Sequence, residues 1–163
     1  MNAGQTYAFL TPIGPMTAEE KAGALTSLMP GGTPGAGEAP TPLLRETEKQ
    51  LLEYFSGKRR EFSLPLAPPG TPWQRRVWDA LLTIPYGETR SYREIARLVG
   101  NPKAARAVGL ANNHNSILIV IPCHRVIGAD GSLVGYGSGL PIKERLLALE
   151  GALPQRKTPQ NRR

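Results

Sequence analysis

Two proline-rich interruptions divide this chain before any other feature does. Residues 30–42 read PGGTPGAGEAPTP and residues 64–72 read LPLAPPGTP. Neither stretch suits a helix interior or a central strand, because proline lacks the backbone donor and glycine loses the most entropy on ordering. The first reads as a flexible linker or long loop, and the second as a domain boundary. With 163 residues the chain fits one domain of ordinary size or two small ones. The expected division is an N-terminal domain over 1–66 with the flexible segment 30–42 inside it, a C-terminal domain over 71–151, and a basic tail over 152–163 that is expected to be disordered.

Before the first interruption, TYAFLTPIGPMT reads as short extended pieces broken by Pro12, Gly14 and Pro15. After it, Leu43, Leu44, Leu51, Leu52 and Phe55 mark an amphipathic helix that Gly57 stops. From residue 71 the patterning tightens. Thr71 caps a helix with Pro72 at its first position, and Trp73, Val77, Ala80, Leu81 and Ile84 recur at helical spacing. PYGE (85–88) is a turn. Ser91 with Glu94 three residues on forms a capping box. The helix it opens points Ile95, Leu98 and Val99 inward and ends at Gly100. Asn101 caps the next helix and Pro102 starts it, over 102–112. Two helices joined through a tight Gly-Asn turn make a helix-turn-helix candidate. Beyond them the sequence predicts an apolar strand at 117–121, a hairpin at Asp130-Gly131, a glycine-rich loop at 135–139 and a closing helix over 141–150.

No segment reaches the roughly 20 apolar residues that cross a membrane, and the N-terminus lacks the pattern of a signal peptide. A cytoplasmic protein is expected. One cysteine makes no internal disulfide and, with two histidines, no Cys-rich zinc site, so neither metal nor cofactor is expected. The net charge of +7 is graded: residues 1–42 carry −2, residues 43–100 carry +3 and residues 101–163 carry +6. That gradient suits a polyanionic partner as well as it suits solvated surface bases.

The single cysteine, Cys123, lies in IPCHRV (121–126), beside His124 and Arg125. A lone cysteine is most often a small buried hydrophobe. A base and a positive charge next to it, at the end of an apolar run, favour thiolate chemistry instead. Adjacent side chains point in different directions, so a proton passes from Cys123 to His124 through a bridging water or not at all. His114, the other histidine, makes a protease-like triad only weakly supported. The 102–112 helix carries Ala104, Ala105, Ala107, Val108, Gly109 and Ala111. Such a slim helix either packs into a core or approaches the narrow minor groove of DNA, with Arg106 as the long side chain free to enter a base stack. Tyr92 and Tyr136 either stack on a base or sit in the core. Glu150 either orients His124 or ends a helix in solvent, and Asn115 either braces its loop or shapes a turn.

The blocks IPYGETRSYREIARLVGNPKAARAVGLANNHN and PCHRVIGADGSLVGYGSG occur in the order and spacing of one family. From about Thr71 to Gly151 the sequence resembles the O6-alkylguanine-DNA alkyltransferases. The N-terminal TPIGPMT and EKQLLEYFSGKRREFSLPL are more loosely similar. The resemblance implies an α/β (α+β) protein: a small ribonuclease-H-like α/β domain, then a mostly helical domain with a helix-turn-helix of winged-helix type. It implies direct repair of duplex DNA carrying O6-alkylguanine, with O4-alkylthymine as a further substrate. The base is flipped out and its alkyl group moves once and irreversibly to Cys123. The protein is then a single-use methyltransferase, acting as a monomer or cooperatively along DNA, with no membrane partner. The alternative is a non-reactive module that flags such lesions for other pathways; proteins of that kind lack the cysteine.

Position by position, the resemblance makes Cys123 the acceptor. It gives His124 the proton through water, with Glu150 behind it, makes Asn115 a hinge, and sets Tyr92 against the target phosphate or the guanine ring. Arg106 fills the gap left by the flipped base, and Ala105, Ala107, Gly109 and Arg125 join it at the DNA. Tyr136, Gly135, Val134, Ser138 and Pro122 border the substrate pocket. The family's pocket loop often reads GYxGG; here it reads GYGSG, so Ser138 stands where a glycine is common.

Overall fold

Alternating apolar and polar residues over the first 30 positions build a three-stranded antiparallel meander. It consists of β1 (Gln5–Thr11), β2 (Gly14–Lys21) and β3 (Ala24–Pro30). We describe it from a computed structural model covering residues 4–133, 136 and 139–153. The break expected at Pro12 is real, since Pro12 and Ile13 form the turn between β1 and β2, whereas Gly14 and Pro15 lie within β2 and do not interrupt it. Thr11 Oγ1 accepts from Ile13 N at 3.1 Å and donates to Gly14 O at 2.7 Å, closing the first turn. Pro15 is then paired opposite Leu10 near the start of β2. At the second turn Ala22 and Gly23 both have positive φ, 52° and 81°, the two-residue geometry whose twist matches a hairpin. Phe9, Met16, Ala18, Leu25 and Leu28 share one core with Leu44, Leu51 and Tyr54 of α1 (Pro42–Phe55). The expected long loop joins sheet to helix: residues 31–41 contain no helix or strand.

The free edge of β3 holds two distant segments. Leu25 N donates to Pro65 O at 2.8 Å and Leu25 O accepts from Ala67 N at 2.8 Å. Leu28 does the same with Ser116 O (2.8 Å) and Leu118 N (3.0 Å). The second pair anchors the chain just upstream of Cys123 to the N-terminal sheet.

The helices that follow are α2 (Pro72–Leu81), α3 (Tyr92–Leu98), α4 (Ala105–Asn113) and α5 (Leu140–Leu149), with β4 (Arg90–Ser91) preceding α3. Thr71 and Ser91 both form full capping boxes, with Gln74 and Glu94. α4 is suspended from α2 by two indoles: Trp73 Nε1 donates to Ala107 O at 3.4 Å and Trp78 Nε1 to Ala111 O at 2.9 Å.

Four expectations need correction. Leu98 is 60% exposed. Ile95, Ala96 and Val99 form the inward stripe, and at 100° per residue Leu98 falls off its edge. α4 starts at Ala105, not Pro102, with Ala104 at its N-cap and no side-chain cap. Pro102 instead occupies a turn closed by Ala104 N on Asn101 O at 3.0 Å, which its fixed φ suits equally well. Residues 117–121 are not a strand. Apart from the Leu28–Ile117 bridge they fold into a tight buried turn, with Ile119 at φ 72° and Val120 N donating to Leu118 O at 2.7 Å. Finally, β5 (Val126–Ile127) pairs in parallel with β4, not in a hairpin. The Asp130-Gly131 turn exists, closed by Gly128 N on Ser132 O at 2.8 Å, but no returning strand follows it among the described residues.

Candidate active site

Cys123 opens a single 3-10 turn (Cys123–Arg125) directly after the coiled apolar run, so it does not end a strand. The residue is 2% exposed. Its position is set by amides from the end of α4 and the loop beyond. Asn112 Nδ2 donates to Cys123 O at 3.3 Å, and Asn115 Nδ2 donates to the sulfur at 3.2 Å. The Asn115 side chain also accepts from Ile117 N (2.9 Å) and donates to Ile117 O (3.2 Å) and Ile121 O (2.9 Å). Those bonds replace a strand ladder and explain why an apolar run turns back on itself. Burial pushes the thiol up to about 11, against the opposing pull of the Asn115 amide, the Lys143 charge and Tyr136. The Tyr136 hydroxyl, itself buried, faces the sulfur without reaching a settled hydrogen bond, and its own ionisation is pushed well up.

His124 and Arg125 leave the same turn toward Glu150, which follows α5. His124 Nε2 lies 2.8 Å from Glu150 Oε2, while Arg125 Nε and Nη2 reach Oε1 and Oε2 at 2.8 and 3.0 Å. Gly87 N approaches Oε1 at 3.5 Å, and the phenol of Tyr54 donates to Oε2 at 2.5 Å. Gly87 has φ 84°, and an added Cβ would come within 3.3 Å of Glu150 O, so this donor position calls for glycine. Burial raises the carboxyl, but the hydrogen bonds and charges of His124 and Arg125 outweigh it, leaving Glu150 near 2. An ionised Glu150 makes Nε2 the protonated nitrogen of a neutral ring. Nδ1 is then a bare lone pair, buried and without a partner among the described residues. Burial, the largest cause, holds His124 below its ordinary value despite Glu150.

The structure thus brings together Cys123, His124, Glu150, Asn115 and Tyr136. It also adds residues that the sequence reading passed over. Lys143 is fully buried in α5, with Nζ 2.6 Å from Val126 O and 5.9 Å from the centre of the Tyr92 ring. Burial lowers its ammonium to about 8, opposed by the thiol. Tyr92 is half-buried and its phenol is pushed up to about 12, by burial first and then by Cys123. Lys143 was detectable as a charge on the apolar stripe, at i−3 and i−4 from Leu146 and Leu147, and Tyr54 as a polar tip three residues beyond Leu51.

Elsewhere the predicted roles divide. Arg106 is exposed, and Ala105, Ala107 and Gly109 are partly exposed along α4. Arg125 cannot serve DNA binding as expected. It is 6% exposed, chelates Glu150, donates to Ile84 O at 2.7 Å and lies over Tyr86, because an unpaired guanidinium is not tolerated at that depth. Pro122 is buried and lines a cleft of about 400 Å³ with Phe62, Ile84 and Val120. Val134, Gly135 and Ser138 lie outside the described residues. Among the described residues no group of His, Cys, Asp and Glu is placed to hold a metal ion, and no helix is long and apolar enough to cross a membrane.

A family model described as the DNA-binding domain of 6-O-methylguanine DNA methyltransferase matches residues 72–152. The methylated-DNA–protein-cysteine methyltransferase of Methanosarcina acetivorans is 51% identical over 150 residues, covering 88% of this chain and 96% of that protein. A crystal structure of the Mycobacterium tuberculosis O6-methylguanine methyltransferase is similar at a TM-score of 0.80 and 45% identity, covering 94% of this chain and 96% of that one. The Mycobacterium tuberculosis OGT crystallised in complex with DNA gives a TM-score of 0.80 at 49% identity, covering 89% and 92% of the two chains. Half-identical relatives that match along nearly the whole of both chains leave one assignment: this chain belongs to the methylated-DNA–protein-cysteine methyltransferase family.

Proposed function

We propose that the protein reverses alkylation at O6 of guanine in duplex DNA by taking the alkyl group onto Cys123. The observation that carries this reading is a buried thiol in the same turn as a neutral histidine. The Nε2–H of that histidine is held by a carboxylate, and its Nδ1 is unpartnered. A thiol held near 11 ionises too rarely at neutral pH to react unaided, so a base is required. In the proposed step the thiol proton passes through water to His124 Nδ1, and Glu150 stabilises the imidazolium. Sγ attacks the alkyl carbon in line, an S–C bond forms, and the C–O6 bond breaks. Guanine leaves with the bonding pair and takes a proton in place of the lost alkyl group, with the Tyr92 phenol as donor. The proton held by His124 then returns through water to the Tyr92 oxygen, so both side chains end neutral. The thioether is stable, so each molecule reacts once.

For DNA, the α3–α4 pair acts as a helix-turn-helix of winged type, and the N-terminal sheet with α1 is the ribonuclease-H-like unit. The slim face of α4 suits the minor groove, where Arg106 occupies the space of the flipped base, at a cost of a few kcal/mol for flipping. Asn115 joins this helix to the reactive turn, and Tyr136 packs against the guanine. A module that only flags lesions has no use for a thiol set beside a base.

Intact mass spectrometry after incubation with duplex DNA containing O6-methylguanine tests the reading. One added methyl that maps to Cys123, absent in Cys123→Ala while DNA binding persists, is the expected result. Binding without any mass gain would overturn it.

A further inference from the structure

Tyr54 belongs to α1, on the N-terminal part of the chain, yet its phenol donates 2.5 Å to Glu150 Oε2, the oxygen that also faces His124 Nε2. Its ring is fully buried among Phe55, Phe62 and Tyr86. Phenylalanine would fill that space without bringing a polar atom that must be satisfied. The hydroxyl therefore has a purpose other than packing.

We infer that Tyr54 is a positioning residue for the transfer reaction: its hydrogen bond to Glu150 tempers the carboxylate so that His124 stays neutral and able to accept the thiol proton. The inference rests on the proposed role of His124 as base. An unshared carboxylate 2.8 Å from an imidazole raises the proton affinity of the ring, and an imidazolium accepts nothing. Around His124, Arg125 and Lys143 oppose protonation and Glu150 favours it. Around Glu150, the donors are Arg125, His124, the Gly87 amide and Tyr54. Tyr54 is the one neutral side-chain hydroxyl in that set. It consumes acceptor capacity without adding a charge, and through it α1 touches the relay directly.

The test compares wild type with Tyr54→Phe by two readouts across pH. One is the single-turnover rate of methyl transfer from O6-methylguanine duplex; the other is the ¹⁵N NMR titration of His124 in the free protein. Without the hydroxyl, His124 should titrate about one pH unit higher, and the rate on the acid limb should fall about tenfold while losing far less above it. A purely structural role would lower the rate equally at every pH and leave the His124 titration in place; that result overturns the inference. If Tyr54→Phe does not fold, 3-fluorotyrosine at position 54 keeps the shape and strengthens the donor, and should move the acid limb down; an unmoved limb overturns the inference. Wild type that transfers no methyl sinks the proposed function, whereas normal transfer with both Tyr54 readouts unmoved sinks this inference alone.

Discussion

The Asn115 amide donates to two carbonyls, Ile117 O and Ile121 O, and to the Cys123 sulfur. All three acceptors are buried, and no water replaces a lost donor at such depth without cost. Asn115→Ala should lower stability by about 1–3 kcal/mol, read as a shift in the urea midpoint: Ile117 N loses its acceptor, while Ile117 O and Ile121 O keep only their backbone donors, Ile121 N and Cys123 N. It should also push the thiol further up, since that amide is the largest influence opposing burial. The thiolate absorbance followed against pH measures the second effect, and an unmoved titration would show that Asn115 shapes the loop without tuning the sulfur. At this scale the sequence exposed the cysteine, its histidine and the glutamate. It missed Lys143 and Tyr54 because each is polar at one atom only. Their stems and rings obey the apolar stripe; the polar tip on that stripe was the one local sign, and nothing local reveals that the phenol ends on Glu150 and Nζ on Val126 O. Arg125 was misread for the opposite reason: a guanidinium reads as surface until its carboxylate, 25 residues away, is found.

Gly109 sits inside α4, where glycine costs up to 1 kcal/mol against alanine. An added Cβ would lie 3.8 Å from the Tyr92 ring, an ordinary contact, so the fold itself does not demand glycine here. Gly109→Ala should therefore raise the melting temperature, by an amount matching about 0.5–1 kcal/mol. If α4 enters the minor groove, the same change should weaken duplex binding in a titration; unchanged affinity would place the groove contact elsewhere on the helix. Helices of this chain were legible because caps are local: Thr71 with Pro72 and Ser91 with Glu94 announce α2 and α3 within four residues. The 117–121 run was not legible. Its composition is that of a strand, but its conformation is set by a side chain outside the run and by the edge of β3 almost ninety residues earlier. The β4–β5 pairing failed for the same reason, since a parallel partner leaves no turn signal between the strands.

Across the whole molecule, the sheet edge, the coiled apolar run and the relay are one structure: β3 grips residues 116–118, and α1 reaches Glu150 through Tyr54. Acid should therefore undo fold and site together. The folded state holds Glu150 near 2, against an ordinary carboxyl value near 4.5. It also holds His124 below 6.5, mainly by burial. In both cases the unfolded chain binds protons first as pH falls, so stability rises with pH across the interval. The His124 contribution is complete above about 6.5 and declines below it. That of Glu150 is complete above about 4.5 and is lost as pH falls toward 2. The Glu150 step is on the order of 3 kcal/mol, a sizeable share of the 5–15 kcal/mol of an ordinary domain. Urea midpoints measured from pH 8 to pH 3 should fall continuously, beginning near the ordinary histidine value. Glu150→Gln should be less stable than wild type at pH 7, because it leaves Arg125 buried without its charge partner. It should also lose the slope between pH 4.5 and 2, and a variant that keeps that slope would assign the acid transition to other carboxylates.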